Sequence, residues 1–101
     1  MIADTGLQVW LETADAQRNT VIPYIEAATD RSIQYRLHAV RQSSGGTSRV
    51  NQSGTVRAPA RQPTALSRIS LGAGKASACR IELILADGGI PLGKYHFDCP
   101  Q

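Results

Sequence analysis

The feature of this sequence that most limits its fold is a series of short apolar runs rich in Val, Ile, Leu and Tyr, each followed by Gly, Pro, Asn, Asp or Ser. No stretch of about ten residues or more has the apolar spacing of an amphipathic helix. Short runs separated by turn residues are typical of strands in a two-sheet sandwich. We therefore predict an all-β sandwich of seven strands, over residues 5–12, 20–28, 33–42, 47–57, 65–71, 78–86 and 90–98.

The connections between the predicted strands support this assignment. S-S-G-G (residues 43–46) and D-G-G (residues 87–89) supply glycine where tight hairpin turns need a positive φ. Segment 58–63 contains Pro59 and Pro63, which lack the N–H that a central strand donates. We expect this segment to cross from one sheet to the other.

Side chains alternate between the two faces of a strand, and this alternation assigns a core to all strands but one. Strand 20–28 cannot be phased, because the pairs Val21/Ile25 and Ile22/Tyr24 are both apolar. Pro23 within it indicates an edge strand or a bulge. The predicted core consists of Leu7, Val9, Leu11, Ile25, Tyr35, Leu37, Val50, Val56, Ile69, Leu71, Ile81, Leu83, Leu85, Tyr95 and Phe97.

The two cysteines, Cys79 and Cys99, lie on the two strands of the last predicted hairpin. A turn at residues 88–90 places them opposite each other, with the same parity as the core residues of their strands. We predict a structural disulfide, which would contribute about 3 kcal/mol and imply an oxidising compartment. A four-ligand metal site with His38 and His96 is an alternative, but the histidines lack a helpful spacing.

The charged residues are unevenly distributed along the chain. Between residues 31 and 81 there are nine Lys and Arg residues and no Asp or Glu, whereas both flanking segments are net negative. Such a segment is expected to project positive potential from the face that it builds. The alternative is that the cations serve solubility and pair with acids of the flanking strands. The few aromatic residues are mostly assigned to the core, so we expect no nucleic-acid partner.

No pattern of catalytic residues is present. Serine occurs without a G-x-S-x-G elbow, both histidines are predicted on exposed faces, and there is no phosphate loop, H-E-x-x-H or dinucleotide fingerprint. We therefore expect a protein that is not an enzyme and that needs no cofactor or metal.

The length of 101 residues suits a single domain over residues 1–101, with an ordered core over about 5–99. No run reaches the ~18 apolar residues of a membrane span, so we expect no membrane insertion. The start, M-I-A-D, has no signal-peptide pattern. If the protein is exported, we interpret this chain as the mature form with a start Met added.

Segment 35–54 carries a resemblance to a known family. It contains Y-x-L, a glycine turn, and S-x-x-x-Q-S-G ending at Gly54. This pattern resembles the CsgH proteins of α-proteobacteria, counterparts of the periplasmic curli-assembly factor CsgC. L-S-R-I-S-L (residues 66–71) and C-R-I-E-L (residues 79–83) fit the same framework, and the resemblance extends over roughly 5–99.

The resemblance implies a seven-stranded immunoglobulin-like β-sandwich in the periplasm. It also implies that the protein keeps curli subunits from polymerising into amyloid before secretion. CsgC proteins often carry a C-x-C pair, which Cys79 and Cys99 do not form. This departure argues against a thiol–disulfide enzyme.

Polar and cationic residues could meet the strand edges of an amyloid subunit. The candidate client-binding residues are Arg36, His38, Arg49, Asn51, Gln52, Arg57 and Arg80. For residues 52–54, the alternative role is to shape a bulge and a turn. The expected partner is a curli-type subunit, bound by a monomer. A generic extracytoplasmic binding module and, less favoured, a redox domain remain as alternative functions.

Overall fold

A computed structural model describes residues 6–14, 20–71 and 78–99, which form strands and no helix. The strands are β1 (Leu7–Thr13), β2 (Thr20–Ala27), β3 (Arg31–Ser43), β4 (Gly46–Ala58), β5 (Thr64–Ala65), β6 (Ile69–Ser70), β7 (Ala78–Asp87) and β8 (Ile90–Asp98). None of the described segments is thus a helix that could cross a membrane. The predicted start of the first strand, at Thr5, lies outside the described residues.

The strands form two antiparallel sheets packed face to face. In the first, β2 pairs with β1 on one side and with both β5 and β6 on the other. In the second, the order is β4-β3-β7-β8. The prediction of an all-β immunoglobulin-like sandwich is confirmed, although the described residues contain eight strands rather than seven.

The hydrophobic core fills the space between the two sheets. All the predicted core residues are either buried or packed against the buried cluster. The structure also resolves the phase of β2, because Val21, Ile25 and Ala27 are buried, with Pro23 beside them. No polar or charged residue among those described is buried, so apolar burial holds the sandwich together.

The extra strand arises because β5 and β6 together replace the single strand predicted over 65–71. The carbonyl of Pro23 accepts a hydrogen bond of 2.9 Å from the Leu66 amide, in the gap between β5 and β6. The N–H and C=O of a residue in an antiparallel strand point to the same neighbour. The donor that proline lacks is therefore missing on the β5/β6 side, where the ladder is interrupted.

The prediction that Pro23 marks an edge strand is wrong, whereas an irregularity does lie opposite it, because the registers of β2 with β5 and with β6 differ by one residue across Pro23. β2 lies between two neighbours, and its pairing with β1 passes through Leu11 and Pro23 without a register shift. A central strand tolerates this proline because the neighbour on the side of its missing N–H is discontinuous.

The proline-containing segment after β4 crosses between the sheets, as predicted. It leads from β4 in the second sheet to β5 in the first. The Ala60 amide donates to Asp30 Oδ1 at 2.7 Å, and the Arg61 amide donates to the Ala27 carbonyl at 2.6 Å. These bonds hold the crossing against the end of β2 and the turn that follows it.

The predicted disulfide between Cys79 and Cys99 is confirmed, with a Cα–Cα distance of 5.4 Å. The turn at residues 88 and 89 alone would place Cys79 opposite Asp98. A register shift in the β7–β8 pairing leaves Leu92 without a partner and moves Cys99 opposite Cys79. Because the two sulfurs are bonded to each other, neither cysteine is available here as a ligand for the alternative cysteine–histidine metal site.

Candidate functional site

The candidate site is the outer face of the β4-β3-β7-β8 sheet, which points away from the core. Alternation places on it the even-numbered residues of β3, β7 and most of β8, and the odd-numbered residues of β4. We call this surface the basic face, because its cations are Arg36, Arg49, Arg57, Arg80 and Lys94.

A polar row crosses the centre of the basic face, from Asn51 through His38 and Glu82 to His96. His38 Nδ1 is hydrogen-bonded to Asn51 Oδ1. His96 Nε2 donates to Glu82 Oε2 at 2.9 Å. The histidines thus lie on the exposed face, as predicted, and their rings are oriented by neighbours on adjacent strands.

The arginines of the basic face differ from Arg31 in their electrostatic environment. Arg31 Nε lies 3.1 Å from Asp87 Oδ2, at the end of the sheet. Among the described residues, no carboxylate forms an ion pair with Arg36, Arg49, Arg57 or Arg80. Pairing with a flanking acid therefore holds for Arg31. Arg80 directly opposes Asp98 in the β7–β8 ladder, whereas Arg36, Arg49 and Arg57 have no carboxylate partner among the described residues.

Arg36 lies between two shallow depressions in the basic face. His38, Asn51 and Glu82 line one of them, Gln34 and Thr55 contribute to the other, and Ile84 lines both. Ile84 opposes Arg36 on one side and Lys94 on the other. This juxtaposition offers an incoming segment an apolar contact flanked by two cations.

The sequence patterns used above do not identify Ile84 as part of this site. Its parity places it opposite the core residues of its strand, so an apolar residue there was a detectable signal. Nothing in the sequence showed that two cations on neighbouring strands would flank it.

Six of the candidate residues predicted from sequence share the basic face, and one does not. The six are Arg36, His38, Arg49, Asn51, Arg57 and Arg80. Gln52 is one residue out of phase and faces the other sheet, where it is hydrogen-bonded to Ser67 Oγ. It ties β4 to the loop between β5 and β6.

The alternative role for residues 52–54, a bulge and a turn, is wrong. β4 pairs with β3 without a register shift along its full 13 residues. These residues continue a regular ladder, because each has a direct partner on β3.

The outer face of the opposite sheet has a different character. Trp10 and Tyr24 stack there with ring centroids 5.7 Å apart, and Trp10 Nε1 donates to Glu12 Oε2 at 2.8 Å. Glu26 lies on the same face, two residues after Tyr24 in β2. This aromatic pair and the basic face occupy opposite sheets, so they do not form one surface that stacks bases and binds phosphates.

The sequence matches a family profile and several known proteins. The profile Tafi-CsgC, described as thin aggregative fimbriae synthesis protein, matches residues 1–93. Curli assembly protein CsgC from Salmonella typhimurium is 33% identical over 69 residues, which are 68% of this chain and 64% of that protein. The protein of the same name from Salmonella enteritidis matches equally. The matched segment is thus less than two thirds of each relative's length.

Two solved structures share the fold. The solution structure of R. palustris CsgH superposes with a TM-score of 0.71 and 24% identity, covering 91% of both chains. E. coli curli protein CsgC superposes with a TM-score of 0.72 and 25% identity, covering 94% of this chain and 99% of that one. The similarity extends over nearly the whole sandwich.

Proposed function

This chain belongs to the Tafi-CsgC family, and we propose that it takes part in curli assembly outside the cytoplasm, as a chaperone-like inhibitor of subunit polymerisation. It would bind curli-type subunits or their early oligomers transiently and delay their conversion into amyloid. The names of the Salmonella relatives support the link to curli assembly. The disulfide supports the location, because such bonds persist in oxidising compartments such as the periplasm.

The observation that carries this proposal is the set of arginines on the basic face that have no ion-pair partner in the described structure. Exposed cations without carboxylate partners attract acidic segments over roughly 10 Å at moderate salt. Such cations raise the rate of association more than the final affinity. This suits transient contacts with a subunit that must later be released.

The protein acts in this proposal as a monomer that binds, and not as a catalyst. The Cys79 and Cys99 sulfurs are bonded to each other within the sandwich edge, and no other cysteine is present. This arrangement speaks against the alternative of a redox domain, which would need a reactive thiol. The alternative of a generic binding module shares the fold, and a test with the subunit itself separates the two.

The test is thioflavin-T fluorescence of a purified curli major subunit, with this protein added well below equimolar amounts. We expect a prolonged lag. The double variant Arg36→Glu and Arg49→Glu should shorten that lag toward the value without protein, because it replaces two cations of the basic face with anions. The double variant Arg61→Glu and Arg68→Glu is the matched control, since it makes the same charge change in the exposed loops before and after β5.

Circular dichroism and thermal unfolding would verify that the variants are folded. An unchanged lag with the wild-type protein would contradict the chaperone role and leave a generic binding module. Equal inhibition by the double variant and the wild type would show that the basic face is not the binding surface.

A further inference from the structure

The four lateral edges of the sandwich differ in how well they are shielded against pairing with another strand. β1 has 7 residues, and the opposite edge of its sheet consists of β5 and β6 with 2 residues each. β8 contains Pro91 and the unpaired Leu92. Short strands, prolines and bulges are the usual means of preventing edge-to-edge association.

β4 has none of these features. It has 13 residues, pairs with β3 without a register shift, and contains no proline and no lysine. In the part of the chain that the structure describes, no strand pairs with its other side. β4 is therefore the edge of this molecule best suited to accept an additional strand.

One observed hydrogen bond identifies the free backbone groups of β4. The Cys99 amide donates to the Cys79 carbonyl at 3.3 Å, so odd-numbered residues of β7 point their backbone groups toward β8. The N–H and C=O groups of successive residues in a strand point to opposite sides. Directly opposed residues therefore alternate between pairs whose groups point toward each other and pairs whose groups point away from each other. Even-numbered residues of β7 and β3 thus point their groups toward each other, and odd-numbered β3 residues point toward even-numbered β4 residues. The N–H and C=O groups of odd-numbered β4 residues therefore point outward, away from the sheet.

The residues with outward backbone groups are the same residues whose side chains lie on the basic face. Arg49 and Arg57 flank the free peptide groups of Asn51, Ser53 and Thr55. On the other face, half-buried Val50 and Val56 would lie beside alternate side chains of an added strand. The edge thus combines backbone pairing with a cationic row and an apolar row.

We propose that the β4 edge binds an extended, proline-free segment of the polymerising subunit as an additional strand, by the β-augmentation mode. This inference rests on the proposed function and specifies its contact. The segment carries neutral amide or acidic side chains on the side that faces Arg49 and Arg57. Occupying β4 keeps the segment from pairing with another subunit, so growth is delayed.

A second copy of this chain is a poorer occupant of the same edge. Residues 31–81 contain no acidic residue. Two β4 strands side by side would bring the arginines of both copies together with no carboxylate from either β4, and like charges on adjacent strands repel. The charge of the edge therefore favours a foreign strand over self-association.

The test compares two proline variants, Ser53→Pro and Thr55→Pro, with Ser53→Thr. Each proline removes one outward N–H without removing a bond of the β3–β4 ladder, and edge strands tolerate such prolines. Ser53→Thr keeps the amide. In the thioflavin-T assay, at least tenfold more of either proline variant should be needed for the same lag, while Ser53→Thr should lose much less inhibition than Ser53→Pro.

Amide hydrogen exchange of the wild-type protein gives an independent measurement. Adding the subunit should slow exchange at Arg49, Asn51, Ser53 and Thr55, and leave the outward amides of β8, such as Lys94, unchanged. Wild-type inhibition by both folded proline variants, with no protection along β4, would overturn the inference and leave the proposed function intact. Protection along β4 without any effect on the lag would support the edge and contradict the chaperone role.

Sedimentation of the free protein completes the test. We expect the free protein to sediment as a monomer. In the exchange experiment, the outward β4 amides of the free protein should exchange fast. A dimer that Ser53→Pro dissociates would show that a second copy occupies this edge, and would overturn the choice of a foreign strand.

Discussion

At the scale of single residues, the contact between Tyr35 and Gly54 explains one of the glycines in the family-like segment. The two residues are direct partners in the β3–β4 ladder. A Cβ atom at position 54 would lie 3.1 Å from Tyr35 Oη and 3.2 Å from its Cε1. The glycine therefore allows the half-buried tyrosine ring to lie flat on β4, between the core and the edge strand.

This contact predicts that replacing Gly54 by a better strand former lowers the stability of the protein. Gly54→Val should destabilise the protein by about 1–2 kcal/mol, although valine is the better strand former, because the tyrosine ring has to leave its place. In a Tyr35→Ala background the same change should be neutral or stabilising. Urea unfolding of the four proteins in the cycle measures the coupling. Destabilisation of similar size in both backgrounds would show that Tyr35 is not the cause.

At the scale of elements, the β7–β8 hairpin depends on both its bulge and its disulfide. The bulge brings Cys79 and Cys99 into opposition. The bond then closes a loop with a sequence separation of 20 residues, which restricts the unfolded chain. The hairpin holds one side of the core, since Leu83 and Leu85 are fully buried.

Removing this bond should weaken the protein without abolishing the fold. The double variant Cys79→Ala and Cys99→Ala should lose about 3 kcal/mol of the free energy of unfolding, as the chain-entropy model gives for a loop of this size. Urea titrations with and without a reductant check this value. The reductant should lower the urea midpoint of the wild type and leave that of the variant unchanged. Equal midpoints for the wild type and the variant without reductant would contradict the prediction.

At the scale of the whole molecule, the two outer faces differ in charge, because the cations of the basic face outnumber its carboxylates, Glu82 and Asp98. The cations Arg36, Arg49 and Arg80 lie on one sheet, and the aromatic pair with Glu12 and Glu26 lies on the other. Such an asymmetry orients an approaching charged partner before contact.

This asymmetry predicts that salt changes the rate of association with the subunit. Raising the ionic strength from about 0.01 to 0.15 M shortens the Debye length from about 30 to 8 Å. The association rate should fall several-fold, with a much smaller change in the dissociation rate. Stopped-flow or surface-binding kinetics measure both rates. Arg68→Glu should retain the wild-type salt dependence, and an association rate independent of salt would show that steering by the basic face is absent.

The sequence by itself determined the features that depend on neighbours along the chain. A side-chain period of two residues identified most of the strands, the inner faces of all of them except β2, and the exposed arginines. Turn residues located the hairpins, and the turn near residues 88–90 predicted the pairing of Cys79 with Cys99, although the bulge in β8 sets their opposition. These features could be predicted because each depends on a short segment and on the covalent alternation of the strand.

Tertiary structure alone decided which strands became neighbours and which became edges. It split the strand opposite Pro23, turned Gln52 toward Ser67, placed Ile84 between two cations, and left one side of β4 without a partner among the described strands. Each outcome depends on the register or contact between segments distant in sequence. A shift of one residue reverses the face of every side chain in a strand, so these outcomes follow only when all strands are packed together.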